Sequence, residues 1–214
     1  MEYQVVSIKE LNGKRRLVCI NYEPGFALYL GELKKYNIVE NGVVPESVYN
    51  EIEAVLGKRA TMRAMNLLKA KDYSERELAD KLKASYYPST AIDKALEYVK
   101  SYGYVDDNRY AANYVAFKAG SRSRHQIVGF LQQKGISSDI IQRVCEEYYG
   151  DSSDAEYEVL LEQMSKKLSR YDEEPDYETR QKIKAYFYRK GFNAELISKT
   201  LDVVVDRRFN NNLM

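Results

Sequence analysis

Tyr98-Val-Lys-Ser-Tyr-Gly-Tyr-Val-Asp-Asp-Asn-Arg-Tyr-Ala-Ala-Asn-Tyr-Val-Ala-Phe117 is the stretch whose reading decides the fold. Gly103 tolerates the left-handed backbone of a helix C-terminus, so a helix is expected to end there. With Gly103 one place beyond the cap, Tyr104 and Val99 form the apolar pair that accompanies such an ending. Asp106 is placed to open the next helix. Its carboxylate accepts from free N–H groups of the first turn and complements the positive end of the helix dipole. Val105 and Tyr110 then hold the positions of a hydrophobic staple. Two helices separated by so few residues are expected to meet at a rigid joint. Asp106-Asp107 in isolation also fits a metal or acid–base pair, but helix capping accounts for both.

The same helix-start and helix-stop signals recur along the chain. Ser74-Glu-Arg-Glu77-Leu78 and Ser123-Arg-His-Gln126-Ile127 are capping boxes that lead into an apolar residue, and Thr179-Arg-Gln-Lys182-Ile183 repeats the cap without completing the box. Four residues on come Leu82, Leu131 and Phe187, then Tyr86, Gly135 and Gly191 where each helix is expected to end. The apolar pairs Ala91-Ile92, Ile140-Ile141 and Leu196-Ile197 follow, and Val99, Tyr148 and Val204 complete the register. An acidic turn, Tyr171-Asp-Glu-Glu-Pro-Asp176, lengthens the third copy. Three copies in one register predict three tandem three-helix units.

Upstream, residues 3–22 read as a β-hairpin around an Asn12-Gly13 turn, pairing Glu10 with Arg15, Ile8 with Leu17 and Val6 with Cys19. Glu23-Pro-Gly25 is a second turn signal, and Phe26 to Leu30 a third strand. So small a β-unit is expected to cap the helical body. Pro45 suits a first helical position, Val48, Ile52 and Val55 or Leu56 form a stripe, and Gly57 is expected to bend or break that helix.

The fold class is therefore mostly α: three tandem three-helix repeats after a small N-terminal β-hairpin or three-stranded unit. The expected divisions are 1–44 for the β-unit, then 45–104, 105–150 and 151–214 for the repeats and tail.

Gly103-Tyr-Val-Asp-Asp107 followed by Arg109-Tyr-Ala111, together with these repeats, resembles the RecX family, regulators of the bacterial recombinase RecA. The resemblance covers about residues 58–205 and is strongest from Ala64 to Glu147. It implies three tandem repeats in an extended curved arrangement and binding in the helical groove of a RecA filament on single-stranded DNA. It also implies contact with more than one protomer and restraint of ATP hydrolysis, strand exchange and co-protease activity, in DNA repair and the SOS response. Gly103, Tyr104, Asp106 and Asp107 are the motif residues that carry it.

Composition agrees with a helical protein that has no obvious chemistry of its own. The 214 residues carry 33 Lys and Arg against 32 Asp and Glu, a net charge of +1. That balance argues against a basic nucleic-acid coat or a general membrane binder. Two cysteines, Cys19 and Cys145, are too few and too far apart for a disulfide framework or a zinc site, and suit a reducing cytoplasm. With His125 the one histidine, and with no glycine-rich phosphate loop or nucleophile elbow, no enzyme, catalytic residue, metal or cofactor is expected. No membrane span or signal peptide is legible, and a monomer is expected.

Charge is nonetheless segregated. No acidic residue lies between Asn108 and Ser138, a block holding Arg109, Lys118, Arg122, Arg124 and Lys134. Glu146 to Glu178 contains twelve acidic side chains, and Arg180, Lys182, Lys184, Arg189 and Lys190 reverse the sign again. Solvated helix faces explain any one run; alternating blocks suit a charged partner read in register. These ten basic residues are the candidate partner-binding set. On the helix after Ser123, Ile127, Phe130 and Leu131 are expected to face inward, leaving Arg122, Arg124, His125, Gln132, Gln133 and Lys134 to solvent. Gly129 is expected to mark a close helix approach. A second reading is a nucleic-acid-binding module acting directly on DNA through residues 124–134 and 138–149, with phosphate contacts from the Arg109–Lys134 block. The absence of an evident array of stacking aromatics counts against it.

Overall fold

Residues 2–150 and 154–210 are described in the structure, a computed structural model. The chain is mostly helical: a small antiparallel sheet is followed in sequence by three three-helix trios. Strands β1 (Glu2–Asn12), β2 (Arg15–Ile20) and β3 (Glu23–Tyr29) lead into a short helix, α1 (Leu30–Lys35), and β4 (Val43–Pro45) closes a sheet of order β3-β2-β1-β4. Helices α2 (Glu46–Leu68), α3 (Glu75–Lys83) and α4 (Ser89–Ser101) form the first trio. The second is α5 (Asp107–Lys118), α6 (Arg124–Gln133) and α7 (Ser138–Tyr149). The third is α8 (Asp154–Leu168), α9 (Tyr177–Arg189) and α10 (Ala194–Val205), followed by a π-type turn at Asp206–Asn210. The chain divides into two compact units, one ending at Asp106 and the other starting at Asp107.

In the first unit, sheet and helices share one core. Val5, Val18, Phe26 and Leu28 are buried in the same cluster as Ile52, Leu56, Ala60, Leu78, Leu82 and Val99. The free edge of β3 is partly closed by the Ala27 N–H, which donates to the Tyr86 carbonyl at 3.2 Å. On the neighbouring strand, Arg15 donates to the Ser85 carbonyl at 2.7 Å. Arg59 of α2 pairs with Glu32 of α1 and lies 4.9 Å from the Tyr29 ring centroid. Both β4 and α1 escaped the sequence reading: one is three residues long, and the other lacks a run long enough to show helical periodicity.

The hairpin register differs from the expected one. The loop is Gly13-Lys14, between the paired residues Asn12 and Arg15, with Gly13 at φ +49°. Glu10 faces Arg16, Ile8 faces Val18 and Cys19 faces Ser7, with irregularities between Glu10 and Asn12 and between Val5 and Ser7. An extra residue on one strand shifts every pair beyond it. The β2 sequence could not reveal this, because Leu17 to Ile20 are all buried and no inside–outside alternation remains to fix a register. Arg15, expected to meet Glu10, is instead committed to Ser85.

Helix α2 corrects two further expectations. It starts at Glu46, with Pro45 as its N-terminal cap residue rather than its first helical one. It also runs through Gly57 unbroken for 23 residues. One interior glycine costs about 1 kcal/mol, which the buried ridge Ile52, Leu56, Ala60 and Ala64 outweighs.

The repeat register holds in all three units. Leu78 and Leu82, Ile127 and Leu131, and Ile183 and Phe187 are all fully buried. Tyr86, Gly135 and Gly191 take φ of +61°, +80° and +84°. At the second and third of these ends, Ile136 N–H donates to Leu131 O at 3.1 Å and Phe192 N–H to Phe187 O at 3.3 Å. Gly103 closes α4 identically: φ is +67°, Tyr104 N–H donates to Val99 O and Gly103 N–H to Lys100 O, both at 2.8 Å. These paired bonds satisfy carbonyls that a helix end leaves open.

Three positions depart from the register. Tyr149 rather than Tyr148 turns into the second core. The cap of α9 is Asp176, whose carboxylate accepts from Thr179 N–H at 2.8 Å, rather than Thr179 itself. The extra residues of the third copy thus divide between a longer loop and one added helical turn. At Gly129 a Cβ would meet nothing within 4 Å, so the expected close approach is absent. It occurs instead at Gly191, where a Cβ would fall 2.7 Å from the Cβ of His125.

Candidate interaction surface

The ten basic residues of the candidate set occupy several different environments. Arg122 and Lys134 converge on one aromatic pair. Tyr114 and Phe130 stack with centroids 4.1 Å apart, Arg122 donates to the Tyr114 hydroxyl at 2.8 Å, and Arg122 and Lys134 stand 6.0 and 5.1 Å from the Phe130 centroid. Arg124 lies 5.7 Å from the Tyr149 ring, and its N–H donates to Glu156 at 3.3 Å. All three are half-buried rather than solvent-facing, correcting the expectation. The correction follows from side-chain length: an Arg or Lys on the polar side of a short helix can fold its stem back onto aromatic rings.

Arg180 is also structural. It donates to the Pro175 carbonyl at 3.1 Å and pairs with Glu174 and with Asp202, the latter at 3.5 Å, tying the acidic turn to α9 and α10. Lys182 forms a 2.7 Å pair with Glu178 one turn back, exposed on both sides. Lys118 is half-buried, with its ammonium 4.2 Å from the exposed Phe117 ring. Lys184 is half-buried, and Arg109 and Arg189 are exposed.

Lys190 belongs to a group that the sequence reading did not assemble. Its ammonium donates to Gln163 Oε1 at 2.9 Å and lies 4.9 Å from the Tyr186 centroid. Lys167 stands 4.2 Å from the same ring. With Lys166 and Arg170 they line a notch of about 190 Å³. In the sequence Lys166, Lys167 and Arg170 are spaced to share one helix face, but they sit inside the acidic block of Glu146 to Glu178, whose net sign masks them.

The second and third trios interlock within their unit. Ser123, fully buried, accepts from Gln126 N–H at 3.2 Å and donates to the Lys190 carbonyl at 2.6 Å. Gln163 donates to the Ser121 carbonyl at 2.9 Å. A groove of about 620 Å³ runs beside this contact, with Arg124, His125, Glu156 and Tyr188 on its walls. His125 is exposed, in keeping with a surface position next to a helix cap.

In the first unit the structure supplies an aromatic array that the sequence reading had not found. Tyr98 and Tyr102 lie 4.8 Å apart, Tyr102 and Tyr104 stack at 5.9 Å, and all three are exposed. The Gly103 turn is what folds Tyr104 back beside Tyr102. Among the described residues, no group of three or more His, Cys, Asp or Glu is placed to hold a metal ion, and no helix is long and apolar enough to cross a membrane. Cys19 and Cys145 are free and buried.

Taken together, fold and surface define a tandem three-helix-repeat protein whose distinguishing features are cationic and aromatic groups displayed on its helices. Comparison with known proteins places it further. The first, second and third three-helix domains of RecX match residues 60–98, 106–144 and 154–201. A Regulatory protein RecX from Caldanaerobacter subterraneus is 37% identical over 72% of this chain and 73% of its own length. One from Clostridium beijerinckii is 27% identical over 94% of each chain. Among solved structures, a regulatory protein RecX superposes with a TM-score of 0.64 at 20% identity, covering 94% of this chain and 99% of its own. RecX from Lactobacillus salivarius gives 0.62 at 21%, covering 71% and 97%. The chain belongs to the RecX family of regulatory proteins.

Proposed function

We propose that this chain is a non-enzymatic regulator that binds a RecA filament on single-stranded DNA and restrains its ATP hydrolysis, strand exchange and co-protease activity. The observation that carries this reading is the match of all three RecX domains, in order, across the helical body. A helical filament offers the same site on successive protomers, and a protein built from repeats can engage several at once. Each contact need only be weak, because the first raises the effective concentration of the next. Exposed Arg109 and Arg189 are the members of the candidate set best suited to meet a charged partner. The half-buried Arg122, Arg124 and Lys134 hold the frame as much as they face outward.

The test is capture of the chain on RecA filaments assembled on single-stranded DNA, beside DNA alone, with ATP hydrolysis followed in parallel. Retention by the filament with slowed hydrolysis supports the proposal. Equal retention by bare DNA would favour direct nucleic-acid binding instead.

A further inference from the structure

The notch of the third trio gathers cations without neutralising them. Lys167 at the end of α8, Arg170 just beyond it and Lys190 at the end of α9 surround Tyr186, and no carboxylate lines the space. Lys166 pairs with Glu162. Lys167, Arg170 and Lys190 form no ion pair with any carboxylate among the described residues. Repulsion among three neighbouring cations opposes this arrangement unless an anion relieves it.

Helix ends alone do not explain the cluster. Cations favour the C-terminal ends of helices, but each end supplies only about half a negative charge, against three basic side chains without an ion pair. The ammonium groups also lie beside the Tyr186 ring, 4.2 and 4.9 Å from its centroid, and so border the notch. Lys190 is held there by Gln163 at 2.9 Å, which fixes one donor before any ligand arrives. The field of this group is felt at Tyr186 itself. Its phenol titrates below the usual tyrosine range, first through its hydrogen bond with Lys190 and then through the charges of Lys190, Lys167 and Arg170.

The geometry points to a phosphate-binding site formed by Lys167, Arg170, Lys190 and Tyr186. Donors converging from two helix ends and the turn between them suit a tetrahedral anion with several acceptor oxygens better than one planar carboxylate. Arg170 adds the forked donor pair that phosphate oxygens accept. The phosphate could be free, as in an inorganic ion or nucleotide, or belong to a nucleic-acid strand. This site stands apart from the filament proposal and does not need it.

The experiment titrates the full chain at low salt with inorganic pyrophosphate, with ATP, with an oligothymidylate and with polyglutamate, alongside the Lys167→Gln/Arg170→Gln variant. Arg170 is exposed and Lys167 half-buried, and circular dichroism checks that the fold is kept. Binding of at least one phosphate probe to the parent is expected, weakened about tenfold or more in the variant, the effect of losing one or more charge-assisted bonds. Response to pyrophosphate and ATP identifies free phosphate as the ligand; response to the oligothymidylate alone identifies strand phosphate. The proposal is overturned if no phosphate probe binds, if the variant binds as the parent does, or if polyglutamate binds as tightly as the phosphate probes. Should the double variant unfold, the single Lys167→Gln change is read by the same criteria.

Discussion

A glycine at positive φ can be required for two separate reasons, and two glycines of this chain separate them. At Gly103 a Cβ would meet nothing within 4 Å, so only the backbone conformation opposes a side chain. Gly103→Ala is expected to cost about 1–2 kcal/mol, the usual penalty of the left-handed region. At Gly191 the φ is +84° and a Cβ would also collide with His125, so Gly191→Ala should cost clearly more. Chemical unfolding of the two variants checks the order; equal losses would show that His125 gives way without penalty. Tyr149 offers a second residue-scale test. Its hydroxyl is buried with no hydrogen-bond partner among the described residues, and burial pushes its pKa up to about 12. A group whose folded pKa lies above its unfolded value of about 10 contributes stability that is complete below pH 10 and lost as the pH rises towards 12. The loss is on the order of 2 kcal/mol. Tyr149→Phe should therefore be neutral or stabilising at pH 7 and should flatten the decline between pH 10 and 12 relative to the parent. A destabilised variant with an unchanged alkaline slope would contradict the assignment.

At the scale of elements, the helix caps carry different burdens. Ser137 caps α7 from an exposed position, accepting from Ile140 N–H at 3.4 Å. Ser123 caps α6 from full burial and also donates to Lys190 of the third trio. Ser137→Ala should cost about 1 kcal/mol, as cap losses usually do. Ser123→Ala should cost about 2 kcal/mol or more, because a part-buried carbonyl loses its donor as well. Thermal unfolding distinguishes them, and equal shifts would mean that the Ser123–Lys190 bond contributes nothing. Elements are also where the sequence was most and least legible. Capping boxes, C-terminal glycines and buried pairs recur at fixed offsets, so all three trios could be read before any coordinates. The hairpin register could not, because β2 is buried on both faces and a bulge leaves no trace in a pattern without alternation. Of the candidate surface, composition located the basic block but not its geometry. Whether Arg122 reaches Tyr114, or Lys167 meets Lys190 across Tyr186, depends on side-chain packing between helices that spacing alone does not specify.

Across the whole molecule, some basic residues brace the helices and others are placed to meet a partner. Reversing Arg122 to Glu breaks a hydrogen bond to Tyr114 and removes a cation from the Phe130 ring, so loss of stability is expected along with any loss of binding. Arg189→Glu, at an exposed site, should change stability by no more than about 0.5 kcal/mol. It should weaken filament binding and make its salt dependence shallower, because one ion contact is lost. Binding and salt slope both unchanged would leave shape complementarity as the basis of recognition at that surface. The central claim, however, is that the partner is the recombinase filament rather than the DNA inside it. Co-sedimentation of the full chain with RecA filaments on single-stranded DNA, against the same DNA without RecA, tests this most directly. The account predicts that the chain pellets with the filament at concentrations where bare DNA retains little of it, and that ATP hydrolysis slows in proportion to the bound fraction. Equal pelleting with bare DNA, or filament binding that leaves hydrolysis untouched, would contradict it.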